Sequence, residues 1–493
     1  MLAYTGHPFY DIGVATVTAF SGKDSPSLVT SSDLAEVAGF IEEQYSRDPL
    51  KSFLSVAFPN AWFSQPAFKK QPAKRREYAD RILRAYDKPS KDDERCVFTG
   101  EPASAVAFSG KTAPGRAFRQ HVPLLTGEGV MNFFPDGDVG LPISGKAALC
   151  IQAFPLGCGK CGGRLLAVHS DSSDITFGFA LHFLEENRRG LSLAHLSGSK
   201  KMPESSMAAR TTLIAVLSSR LAIMDETRRA SVTAYHFTNS GQSKPLDRRS
   251  PPLEIHHIPV EITGFLKELR KAEYHDQWKA LVRRGWELAK TVKGKGSESE
   301  GKACGEEGTG RNYLYEDLFS LPETAASFVR CYFLRIPVRK AAKVDPRRTY
   351  SIRSEGSLVS WRLTELFLRE VMRMDKNRID EIRQLGDRLA DYVSAENDRR
   401  FFMAFFSERN YQYLRNALIK ANLSHVRRGN PPLVTLDPYL TVFEEGDEIS
   451  RSDWQLARDL VLIRMVERLY QNGWIGKNAE VVLPESLEGK ENE

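Results

Sequence analysis

Apolar residues recur at helical spacing along the C-terminal part of the chain. The pattern is clearest in three stretches, with apolar positions at Ile382, Leu385, Leu389 and Tyr392, at Phe402, Phe405, Tyr411, Leu414 and Leu418, and along residues 454–470. A Pro- and Gly-containing loop, 428–447, separates the last two stretches. This periodicity predicts an all-helical bundle of about four helices over residues 356–493.

The earlier part of the chain mixes two patterns. Helical spacing is found in residues 33–45, 75–86, 207–222 and 261–290, whereas short apolar runs at 175–179, 232–237 and 253–260 predict strands. Residues 91–165 are rich in Gly- and Pro-containing turns. We therefore expect an α+β fold, in which a mixed N-terminal region with a degenerate zinc-knuckle insertion precedes the helical bundle.

Changes in composition divide the chain into four regions. They are an N-terminal α+β segment at 1–90, a Gly/Pro/Cys-rich knuckle and loop region at 91–171, a basic α+β region at 172–355, and the helical bundle at 356–493. Residues 291–310 are of low complexity and predict a flexible linker within the third region.

Composition is that of an ordinary globular protein of 493 residues with 41% hydrophobic residues. The N-terminus lacks a basic segment followed by an apolar run, so no signal peptide is expected. No uncharged stretch approaches the roughly 20 apolar residues that span a bilayer. Six unevenly spaced cysteines do not form a secreted disulfide framework. These features predict a cytoplasmic protein that does not enter a membrane.

Basic residues are concentrated in the middle of the chain, although the net charge is only +6. Residues 151–355 contain 32 Lys and Arg against 23 Asp and Glu, whereas residues 1–150 and 356–472 are balanced. Many of the basic residues stand in adjacent pairs. Such pairs suit a phosphate backbone, because each neutralised phosphate releases a counterion. An ordinary solvated surface is the alternative.

Three cysteines resemble parts of a pair of zinc knuckles. Cys158 and Cys161 form a CxxC motif followed by two glycines, which permit the tight turn around a tetrahedral ion. The segment beginning at Cys96 looks like a second knuckle in which Thr99 replaces the second cysteine. Cys96, Cys158 and Cys161 are therefore candidate ligands of a structural zinc, with His169 as the nearest fourth ligand. Buried free thiols are the alternative.

Common catalytic motifs are missing from the sequence. It contains no GxxxxGK[ST], HExxH or GxSxG motif, and no GxGxxG between a strand and a helix. His256 and His257 are adjacent in a predicted strand and therefore face opposite sides, which favours structural roles. Asp136 and Asp138 occupy a Gly-rich turn and are more typical of turn formers than of a two-metal site. No constellation requires a catalytic interpretation.

Two segments combine basic, amide and aromatic side chains in a manner typical of nucleic-acid-binding loops. Residues 111–121 include a Pro-Gly turn together with Arg and Gln, whose side chains pair with guanine and adenine edges. Residues 60–70 form a second such group, and a third, basic candidate lies at 200–201. The candidate DNA-binding residues are Asn60, Trp62, Lys69, Lys70, Lys111, Arg116, Arg119, Gln120, Lys200 and Lys201. Of these, the lysines at 69, 70, 200 and 201 are the candidates for phosphate contacts. Ordinary surface loops are the alternative.

Four segments within residues 4–171 are more distinctive than these local patterns. They read YTGHPFYDIGVATVTAF, PLKSFLSVAFPNAWFSQP, CVFTGEPA and HVPLLTGEGVMNFFPDGDVGLPISGKAALCIQAFPLGCGKCGGRLLAVHSD. In these segments the chain resembles the large subunit of type I-B CRISPR Cascade complexes, in the branch with zinc-finger-like cysteines. Over residues 172–493 the resemblance rests only on the layout, a middle region followed by a helical bundle. Thr99 departs from the fuller cysteine set of similar proteins.

The resemblance implies a non-catalytic function in antiviral defence. Such a subunit recognises the protospacer-adjacent motif on duplex DNA and helps to open the duplex, so that guide RNA pairs with the target strand. The implied partners are guide RNA, target and non-target DNA, the Cascade backbone and small subunits, and a helicase-nuclease or transposition proteins. A basic middle region suits the displaced single strand.

The resemblance also implies a second product from the same gene. In similar systems the small subunit is the helical C-terminal part, made from an internal start. Codons for Glu370 and Val371 can read GAGGTN, which resembles a bacterial ribosome-binding site, and two codons then precede Met374. A product starting at Met374 would have 120 residues.

Two other functions are compatible with the residues alone. One is a metal-dependent nuclease in which the three cysteines hold structural zinc and acidic residues act elsewhere. The other is a zinc-ribbon scaffold that binds only proteins, which would show no salt-dependent affinity for DNA.

Overall fold

The computed structural model describes the chain except for residues 59–60, 62, 64, 66–69, 111, 126, 128–138, 222–228, 239–251, 289–309, 446–448 and 483–493. Its contacts divide the chain into two compact units, Met1–Val260 and Glu261–Glu493. The first unit is mixed α and β and the second is helical, which confirms the α+β class with a helical C-terminal region. The predicted region 172–355 is divided between the two units.

The helices of the first unit are arranged around α1 (Pro8–Phe20), which is buried from Tyr10 to Ala19. The others are α2 (Ser31–Gln44), α3 (Leu50–Leu54), α4 (Pro72–Ile82), α5 (Gly145–Ala153), α6 (Ser173–Ser197) and α7 (Ala209–Arg220). At Gly13, a Cβ atom would lie 2.2 Å from the Cys150 carbonyl oxygen of α5. This close approach of two backbones requires glycine.

The described strands of the first unit form three antiparallel sheets. Two are two-stranded, β1 (Ser90–Arg95) with β2 (Pro102–Ser104) and β3 (Arg116–Ala117) with β4 (Leu141–Pro142). The main sheet has the order β5 (Gly159–Cys161), β6 (Arg164–Ser170), β7 (Val232–Phe237) and β8 (Leu253–Ile258). The strands predicted at 232–237 and 253–260 are therefore confirmed, and they form its last two members.

The strand predicted at residues 175–179 is wrong, because these residues belong to helix α6. Ile175, Phe179 and Phe183 are all buried and follow one another at intervals of one helical turn. A short apolar run fits either a strand or one face of a helix, and only the longer pattern separates them. Helix α6 ends at Gly198, whose φ of 66° is left-handed.

The second unit, over its described residues, consists mainly of helices. They are α8 (Val260–Glu268), α9 (Ala272–Arg284), α10 (Tyr313–Asp317), α11 (Ala325–Phe328), α12 (Ile352–Glu355), α13 (Trp361–Glu370), α14 (Lys376–Glu396), α15 (Arg399–Ser407), α16 (Tyr411–Arg427), α17 (Leu436–Phe443), α18 (Trp454–Gln471) and α19 (Trp474–Val482). A π-helical turn, Val329–Phe333, follows α11. Among the described helices, none has the length and apolar character needed to cross a bilayer.

Helices α14 and α18 form the central pair of the C-terminal bundle. The predicted apolar face of α14, which includes Ile382, Leu385 and Leu389, is buried as expected. Gly386 allows the two helices to approach closely, because a Cβ atom there would lie 2.7 Å from Arg464 Cβ. At the edge of the same contact, the Arg464 guanidinium donates to Asp387 Oδ1 at 2.8 Å.

Candidate nucleic-acid interface

A group of exposed cations lies at the start of helix α4. The helix begins at Pro72, and its first turn contains no acidic residue. Lys70, Lys74 and Arg76 are exposed here, and none of the three makes an ion pair with another described residue. Cations near a helix N-terminus are opposed by the helix dipole, so helix stability does not account for them. We call these three residues the α4 cluster.

The carboxylates of α4 are already bound to other arginines. Glu77 accepts from Arg81 at 2.5 Å, and Asp80 accepts from Arg84 at 2.9 Å. Both pairs lie on the C-terminal side of the α4 cluster, and Glu77 directly follows Arg76. The cluster therefore keeps its positive charge toward solvent, which suits a polyanion.

Aromatic contacts join the two candidate DNA-binding segments next to the α4 cluster. The ring of Phe63, from the segment 60–70, packs against Tyr78 of α4 with centroids 4.9 Å apart. Tyr78 also stacks with His121 of the segment 111–121, with ring centroids 6.5 Å apart. Two segments that are distant in sequence thus meet at one helix.

His121 is a buried, neutral anchor for its segment. Burial lowers the pKa of His121 to about 3, so the imidazole carries no charge near neutral pH. Its Nδ1 accepts from the Phe118 backbone N–H at 3.4 Å, and its carbonyl oxygen accepts from Gln152 Nε2 at 2.9 Å. The two residues immediately before it, Arg119 and Gln120, are partly exposed and remain candidate base contacts.

The structure corrects the expectation for Arg116. This side chain is buried in β3, where Nη2 donates to Glu94 Oε1 at 2.5 Å and Nη1 donates to the Gly140 carbonyl oxygen at 3.2 Å. Moving the guanidinium to a base edge would remove the closest cation from the Glu94 carboxylate, which would then keep only the longer contact to Lys91 Nζ, at 3.8 Å, among its described ion pairs. Arg116 therefore has a structural role and does not read bases in this conformation.

Lys200 and Lys201 are exposed in the turn between α6 and α7. They lie beside a cleft of about 500 Å³ whose charged lining includes Lys160, Arg189, Glu186 and Glu204. Burial opposes ionisation of Glu204, but hydrogen bonds from Lys160 and the Gly163 N–H outweigh it and lower the pKa of the carboxyl. No hydrogen bond or ion pair among the described residues links this lysine pair to the α4 cluster.

Four of the candidate DNA-binding residues lie outside the described residues. They are Asn60, Trp62, Lys69 and Lys111. Asp136 and Asp138 lie outside them as well. Lys74 and Arg76 were not among the candidate residues predicted from the sequence. The sequence nevertheless contains a feature that could have identified them. Residues 74–76 form a basic run that follows the candidate segment 60–70 and overlaps the predicted helical stretch 75–86.

The three candidate zinc ligands are not brought together. Cys96, Cys158 and Cys161 are buried free thiols, and their sulfurs do not gather into a three-ligand group. Cys158 Sγ donates to the Phe154 carbonyl oxygen at 3.3 Å. Burial raises the pKa values of Cys158 and Cys161, which favours the thiol over the metal-binding thiolate. The fourth candidate, His169, bonds Asp11 Oδ2 through Nε2 at 3.1 Å.

One other cluster brings three ligand types together. Among the described residues, only His236, Glu254 and His256 place three ligand atoms within 4.8 Å of one another. The register of the main sheet explains this, because His236 and Glu254 are direct cross-strand partners on β7 and β8. His236 Nε2 lies 3.0 Å from the Cys161 carbonyl oxygen, a hydrogen bond that fixes the orientation of the ring.

Two guanidinium groups already occupy this histidine–glutamate cluster. Arg210 Nε donates to His256 Nδ1 at 3.3 Å, so the neutral ring carries its proton on Nε2, the nitrogen that faces Glu254. Arg164 Nη1 lies 3.0 Å from Glu254 Oε1. Burial, with Arg210 and His236 as further causes, lowers the pKa of His256 to about 4. A cation would have to displace both arginines, so the cluster fits a metal poorly.

Comparisons with protein-family models, with curated proteins and with solved structures each found no match.

Proposed function

We propose that this chain is a non-catalytic DNA-recognition subunit, equivalent to the large subunit of a type I-B CRISPR Cascade complex. It recognises a protospacer-adjacent motif on duplex DNA, assists R-loop formation, and recruits the effector nuclease or transposition proteins. Its partners are guide RNA, both DNA strands and the backbone and small subunits, and it acts in the cytoplasm. The observation that carries the proposal is the meeting of two candidate DNA-binding segments beside the α4 cluster.

In this proposal, positioning and sequence readout belong to different side chains. Lys70, Lys74 and Arg76 bind phosphates and fix the register of the duplex, because such contacts carry no sequence information. Arg119 and Gln120 contact base edges or enter the minor groove. Lys200 and Lys201 bind backbone phosphates elsewhere on the DNA.

Arg119→Ala tests the readout role. We expect the assembled complex to lose about 1–3 kcal/mol of affinity for motif-containing duplex and much less for motif-free duplex, measured by fluorescence anisotropy. Arg95→Ala removes an exposed arginine from β1 and serves as the matched control, with little effect on either DNA. An equal loss on both duplexes would make Arg119 a phosphate contact and refute the readout role.

The double variant Lys74→Ala/Arg76→Ala tests the α4 cluster. Affinity should fall equally for motif-containing and motif-free duplex, and the slope of log K against log salt should become shallower by about 2, measured between about 50 and 200 mM salt. Lys279→Ala, an exposed lysine in the second unit, should leave the slope unchanged. An unaltered slope in the double variant would remove the observation on which the proposal rests.

The two alternative functions predict different results in DNA-cleavage and DNA-binding assays. A metal-dependent nuclease would cut labelled DNA when the purified chain is incubated with Mg²⁺, Mn²⁺ or Zn²⁺ and no partners. A protein-binding scaffold would show no salt-dependent affinity for DNA even within the assembled complex. Either result would overturn the proposed function.

A further inference from the structure

A basic cleft of about 430 Å³ lies within the second unit, far in sequence from the α4 cluster. Three elements form it: helix α11 with the π-helical turn that follows, the end of helix α15, and the first turns of helix α18. Its charged lining consists of Arg330, Arg409, Arg458 and Asp459. Three guanidinium groups therefore share the cleft with one carboxylate.

The single carboxylate is fully used by two of these arginines. Asp459 is 5% exposed, and both its oxygens lie 3.0 Å from Arg330 Nη1. The buried Arg458 donates to Asp459 Oδ1 through Nε and Nη2, at 3.1 and 2.7 Å. Two cations facing one anion leave an excess positive charge at the floor of the cleft. These hydrogen bonds hold the guanidinium groups of Arg330 and Arg458 in place before a ligand binds.

Several donors in the cleft have no partner within the described part of the chain. The Arg409 guanidinium, the Ser327 hydroxyl and the Gln455 side-chain amide make no hydrogen bond or ion pair with a described residue, and Arg409 is exposed. The Arg330 side chain is 36% exposed, so its remaining N–H groups can reach solvent. The cleft thus offers unused donors of three chemical types.

Helix α18 adds a favourable dipole to these donors. Gln455 and Leu456, in its first turn, line the cleft, and the helix has no side-chain cap. The carboxylate at the N-cap position, Asp453, is instead bound by Arg378 at 2.8 Å. The Trp454 N–H already donates to the Arg451 carbonyl oxygen at 3.1 Å, so the Gln455 and Leu456 amides of this 18-residue helix are left for an anion or water.

Neighbouring acidic groups do not cancel the charge. Glu408 is the closest in sequence, and its Oε1 accepts from the backbone N–H groups of Arg409 and Asn410. Even with Glu408 counted, Arg330, Arg409 and Arg458 exceed the two carboxylates by one positive charge. We propose that this cleft is a binding site for a phosphate group.

The lining also indicates what kind of molecule carries the phosphate. The described lining residues include no aromatic side chain on which a base could stack. The volume exceeds what one inorganic phosphate needs and lies within the range of ligand sites. The site therefore holds the sugar-phosphate part of a nucleotide or of a single strand, without reading its bases. It does not depend on motif recognition by the first unit.

The test uses the full chain with three probes: inorganic phosphate, a mononucleotide, and a fluorescein-labelled single-stranded DNA without any motif. Arg409→Gln should weaken strand binding about 3- to 10-fold and flatten its salt dependence by about 0.7, the value for one phosphate on a single strand. Ser327→Glu, which places a carboxylate in the cleft without touching the buried arginines, should weaken binding at least as much. Arg400→Gln, an exposed arginine of helix α15 outside the cleft, is the matched control and should stay within twofold.

Comparison of the three probes distinguishes a nucleic-acid phosphate from the phosphate of a free small molecule. Loss of strand binding alone identifies a nucleic-acid site, and loss of mononucleotide or phosphate binding as well identifies a site for free phosphate compounds; both support the proposal. If Arg409→Gln binds all three probes like the wild-type chain, or if Arg400→Gln is equally impaired, the cleft is not a phosphate site. Neither result affects the duplex experiments on the α4 cluster, so failure of one proposal is distinguishable from failure of the other.

Discussion

At the scale of single residues, His121 fixes the position of the segment that carries the candidate base contacts. It is 3% exposed and contacts Phe108, Phe118 and Tyr78 through its ring. A charged imidazole would lose its hydration in this position without gaining a carboxylate partner among the described contacts. The position of Arg119 and Gln120 therefore depends on the neutral form of this histidine.

This arrangement predicts a loss of stability in mild acid. Burial lowers the pKa of His121 to about 3 in the folded chain, whereas the unfolded side chain titrates near 6.5. As the pH falls below about 6.5, the unfolded state gains the proton first, and stability is lost until the pH reaches about 3. Between pH 6.5 and 5 this costs about 2 kcal/mol.

Urea unfolding at pH 7 and pH 5 measures this effect in the wild-type chain and in His121→Asn. The Asn side chain can still accept from the Phe118 N–H but does not titrate. The variant should be less stable at pH 7, with a difference between the two pH values that is about 2 kcal/mol smaller than in the wild type. Equal pH dependence in the two proteins would mean that the imidazole is solvated in the native state.

Residue types alone could not distinguish Arg116 from Arg119. Both stand in one basic loop, and both are chemically suited to guanine. Pairing of β3 with β4, which is 24 residues further along, turns Arg116 inward to Glu94 and Gly140. That pairing depends on contacts between distant segments, which no local pattern records. The same reason explains why the CxxC motif did not predict the positions of its sulfurs.

At the scale of elements, the long periodic segment of helix α14 was predicted correctly, whereas one of the three short apolar runs was assigned to the wrong element. The buried apolar positions of helix α14 run from Ile379 to Val393, about four turns, so its buried face followed from the spacing. The run 175–179 is too short to separate a strand from a helix, and the structure places it in α6. Helix α4 was expected at 75–86, but it begins at Pro72, which puts Lys74 at its exposed start.

The close packing of α14 against α18 gives a prediction about Gly386. Gly386→Ala places a Cβ atom 2.7 Å from Arg464 Cβ and 3.1 Å from the Val461 carbonyl oxygen, so the helices must separate. We expect the free energy of unfolding to fall by about 1–3 kcal/mol, despite the better helix propensity of Ala. Chemical denaturation followed by circular dichroism measures the change.

Gly476→Ala is the matched control for this substitution. Gly476 lies in helix α19 of the same unit, and a Cβ atom there meets nothing within 4 Å. Its substitution should be neutral or stabilise the chain by about 0.5–1 kcal/mol. If both variants behave alike, the contact between α14 and α18 is looser than described.

At the scale of the whole molecule, the changes in composition and the compact units of the structure divide the chain at different positions. The low-complexity segment 291–310 suggested a linker, and the change in composition near 356 suggested a boundary. The two units instead meet in sequence at Val260 and Glu261, at the start of helix α8. Unit boundaries reflect which helices bury each other's apolar faces, and a hydrophilic segment within one unit has the same composition as a linker between two.

The position of Met374 bears on the second product expected from the same gene. Met374 lies between α13 and α14, directly before Asp375, whose side chain caps α14 by accepting from the Arg378 N–H at 3.2 Å. A chain that starts at Met374 therefore keeps this cap, the α14–α18 pair and every later helix. It loses the bond from the Trp361 N–H to Glu467 and the Arg330 ion pair with Asp459.

We therefore expect a folded product of 120 residues that begins at Met374 and lacks one of the three arginines of the basic cleft. Expression of the gene with a C-terminal tag should yield this band beside the full chain. Synonymous recoding of residues 369–371 should remove the short band and leave the full chain unchanged. Met374→Leu should have the same effect, because it removes the start codon while keeping an apolar side chain. A short band that survives both changes would come from proteolysis, and its mass would place the cleavage site.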